Sequence, residues 1–308
     1  MKLRRIGTAL AGLAGGIVAG DRLLRDAAGE LEPALDATER TYRWRGMDVA
    51  YAELGDPADP TLVCLHGINA AGSSGEFRAV ADALAETHHV VAPDYPGFGR
   101  SDRPPLRYSA ALYEDFVADF LAEYESPAVV ASSLSGAYVA RAVDDDRVTL
   151  DSLVAVCPTT RGGPHPPKTW LRELLRAPVV GTACFDALVS KPSIRYFNAD
   201  HAYADPAAVS DAWTDYQWRT THQPNARFAV ASFVAGHCNS DLDLGAALLD
   251  CDAPVTIVWG RDATLPPLAT GRELADEAGA RLVVFDHAKL LPHVEYPDAF
   301  VDAVREAI

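Results

Sequence analysis

Two rhythms of apolar residues alternate along this chain. Short, mainly apolar runs lie at 61–65, 89–93, 128–131, 150–157, 254–260 and 281–285. Each has strand length and ends at turn-forming or small polar residues, as expected of strands buried on both faces. Between them apolar residues recur at helical spacing: up to about 86, at 109–124, from 137 to 143, at 267–278 and at 297–308. Residues 41–54 instead alternate (Tyr42, Trp44, Val49, Tyr51) around Gly46, which predicts a β-hairpin. Strand and helix in this order predict an α/β fold, a mostly parallel sheet with helices on both faces.

The rhythm fails between 160 and 240. Pro164, Pro166, Pro167, Pro178 and Pro192 interrupt it, and only 170–176 and 206–219 keep a helical pattern. Aromatic residues gather here, among them Trp170, Phe185, Trp213 and Trp218. The stretch is expected to be a helical insertion whose aromatics chiefly form its own core. The core domain is then 41–159 together with 241–308. Residues 1–40 form a third part, a basic and apolar helical segment. It opens with Lys2, Arg4 and Arg5, runs apolar and Gly-rich to Gly20, and continues as a polar amphipathic stretch. The run falls short of the roughly 20 apolar residues that a membrane span needs. Gly7 and Thr8 stand where a twin-arginine signal carries larger apolar residues. The expectation is an uncleaved helix that packs on the protein or touches a membrane surface, in a cytoplasmic protein.

Composition narrows the partners. Of 308 residues, 43 are Asp or Glu and 27 Lys or Arg, for a formal charge of −16. Nucleic-acid binding through a basic surface is therefore not expected. The only lysines are Lys2, Lys168, Lys191 and Lys289. An acidic, Lys-poor, Ala- and Val-rich chain fits a halophile, where salt screens self-repulsion; the alternative is an ordinary acidic protein from a GC-rich genome. Cys64, Cys157, Cys184, Cys238 and Cys251 form no C-x-x-C pair, so neither a zinc site nor a disulfide framework is expected. No cofactor or metal is expected; the partner is a small-molecule substrate or ligand, and oligomeric state is open.

Chemistry concentrates at Ala131-Ser132-Ser133-Leu134-Ser135-Gly136. An apolar run stops, small residues flank Ser133, and a helical pattern starts at once. Small neighbours let such a turn close and expose the serine hydroxyl, with the first helix amides facing whatever it touches. A buried serine-rich connection is the competing view. Two further motifs precede it in order: His66-Gly67 after the run 61–65, and Asp94-x-Pro96-Gly97-x-Gly99-x-Ser101 after 89–93. Together the three resemble the oxyanion loop, turn and nucleophile elbow of the α/β-hydrolase family, and the resemblance covers 41–308. It departs from the family's G-x-S-x-G at Ala131 and Ser135.

The resemblance implies an α/β-hydrolase fold with an inserted helical lid. It implies Ser133 as nucleophile and the backbone amides of Ile68 and Leu134 as oxyanion donors, with His66 structural. The acid and base do not follow. The family's acid position falls on Ala263, with Asp262 one residue early; its base position falls on Leu290, with His287 upstream and His293 at a secondary position. Three alternatives stay open. Asp262 with His287 or His293 completes a displaced triad; Ser133 works without an orthodox base on an activated substrate; or the site binds a ligand without hydrolysis. The corresponding functions are a serine hydrolase of small carboxylic esters and a non-catalytic ligand-binding or scaffolding protein.

Overall fold

The computed structural model describes the backbone from Lys2 to Ile308 and side chains from Ala14 onward. Eight strands form one sheet: β1 (Thr38–Trp44), β2 (Met47–Leu54), β3 (Thr61–Leu65), β4 (His89–Pro93), β5 (Ala128–Ser132), β6 (Ser152–Val156), β7 (Val255–Gly260) and β8 (Arg281–Phe285). Their spatial order is β1-β2-β4-β3-β5-β6-β7-β8. β1 and β2 pair antiparallel, β2 joins β4 antiparallel, and every other pairing is parallel. The β1–β2 hairpin turns at Arg45 and Gly46, both with positive φ, as a two-residue primed turn requires.

The central strands are buried along their whole length, which is why they read as mainly apolar runs. Their alternate residues feed two separate cores. Val63, Leu65, Val129 and Ala131 join Tyr95, Tyr113, Phe116 and Tyr138 on one face. Leu62, Cys64, Ala128 and Val130 join Phe77, Leu84, Phe300 and Val304 on the other. The chain reverses its direction of travel across the sheet between β3 and β5, the switch point where open α/β sheets hold ligands at their carboxyl ends. Leu65 is in register with Ala131, so His66-Gly67 and Ser132-Ser133 leave the sheet side by side.

The helix expected up to 86 is broken into a 3-10 turn, Ser74–Phe77, and a single helical turn, Ala81–Leu84. Side chains capture its backbone instead: Asp94 Oδ1 accepts from Ser74 N–H at 2.6 Å. Between β6 and β7 the insertion holds Thr169–Arg176, Val180–Leu188, Lys191–Phe197, Asp211–Thr221 and Arg227–Val234, followed by Leu244–Leu249. Phe185 and Tyr203 are buried in it, whereas Trp170 and Tyr196 are exposed. It is tied to the loop after β8. Lys289 Nζ donates to the carbonyls of Ala199 (2.8 Å) and Asp200 (3.0 Å), and Glu295 accepts from the N–H of Ala204 (2.7 Å) and of Lys289 (2.9 Å).

The N-terminal helix, Lys2–Ala28, ends at Gly29 (φ 62°), the left-handed residue that commonly stops a helix. Arg219 Nε takes the Ala28 carbonyl at 2.8 Å and Gln223 Nε2 that of Gly29 at 2.9 Å. Both donors come from the Asp211–Thr221 region of the insertion. Among the described residues, no helix is long and apolar enough to cross a membrane.

Candidate active site

Ser133 stands between β5 and the helix Leu134–Asp144 with φ 58° and ψ −126°. For a residue with a Cβ this conformation costs about 1–3 kcal/mol and persists only when the surroundings fix it. Ser133 N–H donates to Val156 O at 2.8 Å, while its carbonyl accepts from Gly136 (3.1 Å) and Thr159 (3.3 Å). A Cβ at Gly136 would lie 2.9 Å from Pro158 Cβ, so glycine is needed where the helix crosses the end of β6. Ser135 fills the second small position with a function of its own. Its hydroxyl donates to His66 O at 2.6 Å and accepts from Tyr95 Oη at 2.8 Å.

The Ser133 side chain is partly exposed, and its hydroxyl has no hydrogen-bond partner among the described residues. Facing it is Gly67, where a Cβ would approach Ser133 Cβ to 3.4 Å and Ser132 Oγ to 3.3 Å. The amides of Ile68 and Leu134 donate to no protein acceptor among the described residues. Leu134 opens its helix, so its N–H also carries the positive end of the helix dipole.

His66 is fully buried and both ring nitrogens are engaged. Nδ1 lies 2.9 Å from Gly67 O and Nε2 accepts from Tyr95 N–H at 3.2 Å. That pattern requires a neutral ring and excludes it as a base. Asp94 is likewise structural: its carboxylate caps Ser74 N–H and, at 2.7 Å, Arg100 N–H.

The remaining predicted residues separate into two groups. Asp262 and His287 do meet, at the carboxyl ends of β7 and β8, with Nδ1 3.9 Å from Oδ2. Their side chains are 47% and 87% exposed, so the pair stands in solvent, and it makes no hydrogen bond to Ser133. His293 goes to the interior. It is wholly buried between Phe77 and Phe300 (ring centroids 5.6 and 5.4 Å). Its Nε2 lies 3.4 Å from Glu76 Oε1. His293 is thus partnered by a carboxylate, but by Glu76 rather than Asp262.

Glu76 is the residue that sequence reasoning missed. It is buried, and Oε2 accepts from Gly67 N–H at 3.0 Å. Burial pushes its carboxyl upward, yet the nearby His293 ring and the Ser132 hydroxyl hold it below the usual carboxylate range. No local pattern announces it; the one signal is a lone acid among small and apolar residues at 70–77.

A protein-family model described as "Alpha/beta hydrolase family" matches residues 62–303. The chain belongs to the alpha/beta hydrolase family. An uncharacterized protein of Mycobacterium tuberculosis (strain ATCC 25618 / H37Rv) is 26% identical over 291 residues, covering 89% of this chain and 83% of that one. The 2-hydroxy-6-oxo-6-phenylhexa-2,4-dienoate hydrolase of Burkholderia cepacia is 22% identical over 293 residues, covering 88% and 96%. The crystal structure of an alpha/beta hydrolase fold protein from Burkholderia ambifaria superposes with a TM-score of 0.70 at 26% identity, covering 88% and 98%.

Within this hydrolase fold, the two positions to which the resemblance assigns acid and base hold apolar residues that pack inward. Ala263 is buried, and Leu290 packs partly buried against the core. Next to Leu290, the Lys289 carbonyl lies 4.0 Å from Cys157 Sγ at the end of β6. Cys157 is no substitute nucleophile: burial pushes its thiol up to about 12.

Proposed function

We propose that this alpha/beta hydrolase cleaves small carboxylic esters with good leaving groups, using Ser133 as nucleophile and no histidine as direct base. The observation that carries this is the juxtaposition of a partly exposed Ser133 hydroxyl, held at a strained corner, with two amides that no acceptor among the described residues uses. Ser133 Oγ attacks the acyl carbon, and the carbonyl electron pair moves to oxygen. The Ile68 and Leu134 N–H groups receive that charge. The serine proton passes to water, the leaving group departs as its anion, and water then hydrolyses the acyl-serine to the free acid. Without a base the rate would sit on the order of 10⁶ below that of a complete triad, but on the order of 10³–10⁴ above water. Activated esters are therefore the substrates within reach. The inserted helices would act as a lid over the acyl group.

Ala263 and Leu290 favour a second reading, a binding protein on a hydrolase fold. A fluorophosphonate probe separates the two. The hydrolase reading expects labelling that Ser133→Ala abolishes, together with Ser133-dependent hydrolysis of p-nitrophenyl acetate. No labelling at millimolar probe would leave the binding reading. The charge balance further supports a high-salt habitat, with the N-terminal helix as the segment suited to a membrane surface.

A further inference from the structure

The two oxyanion amides are held in different ways. Leu134 N–H is fixed by its helix. Ile68 N–H belongs to a loop peptide whose preceding residue is Gly67, the residue type with the softest dihedrals. Its direction depends on what holds Gly67.

The Gly67 carbonyl is held by His66 Nδ1 at 2.9 Å and by Asn69 Nδ2 at 3.4 Å. A trans peptide points its N–H opposite its C=O, so these contacts turn Ile68 N–H away from His66. The other end, Gly67 N–H, is held by Glu76 Oε2 at 3.0 Å. Behind that carboxylate lies His293, fully buried, with Nε2 3.4 Å from Glu76 Oε1. A Cβ on Gly67 would lie 3.4 Å from both Glu76 Oε2 and Ser133 Cβ, so the carboxylate sits one peptide behind the reacting centre.

We propose that Glu76 and His293 are positioning residues: a buried carboxylate backed by an imidazole, which clamps Gly67 N–H and so aims the Ile68 amide at the oxyanion. The assignment rests on the proposed Ser133 chemistry. Its parts come from distant segments, the turn after β3 and the helix Pro292–Glu295. Other groups around the carboxylate are His66, Ser132, Tyr95, Cys157 and Tyr203. His66 is neutral by its bonding, and burial raises the Tyr95, Cys157 and Tyr203 groups, keeping them uncharged.

The test uses the full chain, with kcat and KM for p-nitrophenyl acetate and the Gly67 and Ile68 amide proton shifts by NMR. Wild type should show Gly67 N–H at low field, as a carboxylate acceptor produces. Glu76→Gln, which keeps an acceptor but loses the charge, should move that proton upfield and lower kcat about tenfold with KM within twofold. Glu76→Ala should lower kcat on the order of 10²-fold, the scale of losing one oxyanion donor. Fluorophosphonate labelling of Ser133 in Glu76→Gln would show the fold intact. An unchanged kcat in Glu76→Ala, or a loss confined to KM, overturns the proposal. So does an ordinary Gly67 shift in wild type, which reads the clamp even if no ester is hydrolysed. Absence of wild-type hydrolysis alone, with the low-field proton present, instead defeats the proposed Ser133 function.

Discussion

Ser133 keeps a backbone conformation that a buried linker would not need, with Gly67 in close contact and Gly136 N–H hydrogen-bonded to its carbonyl. Among the described residues no histidine hydrogen-bonds to the Ser133 hydroxyl, and the effect of supplying one can be probed by restoration. Ala263→Asp with Leu290→His should raise Ser133-dependent kcat/KM on p-nitrophenyl acetate by about 10²–10⁴, the usual contribution of general acid–base catalysis. A double variant no faster than the parent would show that these loops do not present the family positions to Ser133. The reverse exchange, toward the family pattern at the second small position, should harm. Ser135→Gly removes the acceptor of the buried Tyr95 hydroxyl, and should lower unfolding stability by about 1–3 kcal/mol, read from urea denaturation. The placement of Ser133 and Leu134 was legible because strand, turn and helix are adjacent in sequence, and that of Ile68 because it follows His66-Gly67 at the end of β3. Glu76 and His293 were not, because their contact joins residues more than 200 positions apart and each alone looks ordinary.

At the scale of elements, the docking of the N-terminal helix on the insertion has an electrostatic weak point. Asp186, on Val180–Leu188, is half-buried near Asp21 of that helix, with Arg25 and Arg227 opposing. Burial first, and the Asp21 charge second, raise its carboxyl to about 6. A folded-state value above the unfolded one means the native chain binds the extra proton. Stability contributed by this group is therefore present below about pH 4 and is lost as pH rises through about 6. Asp186→Asn should raise Tm at pH 7 and leave it nearly unchanged at pH 4; equal effects at both pH values would remove the assignment. The helices of this region were only partly visible in sequence. Those at 170–176 and after Ser210 follow periodic stretches, and Ser210 caps the latter by accepting from Trp213 N–H. The helices at 180–188, 191–197 and 227–234 lie in proline-interrupted sequence, where packing rather than local pattern decides the structure.

For the molecule as a whole, the order of buried runs and helical stretches is sufficient to indicate a parallel sheet, because strands covered on both faces must be apolar throughout. The charge balance acts at the same scale. With a formal charge of −16, self-repulsion should weaken the compact state at low ionic strength. Tm should climb from millimolar to molar KCl, and a flat response would set aside the high-salt inference. The loop between β8 and the helix Pro292–Glu295 joins these scales. Lys289 and Glu295 moor the roof of the molecule from either side of Leu290, through Ala199, Asp200 and Ala204. A segment that elsewhere in the family would shuttle protons here serves as rigging. Repairs made at its centre will tug on the ropes at both ends, so regained chemistry and a loosened roof should arrive together.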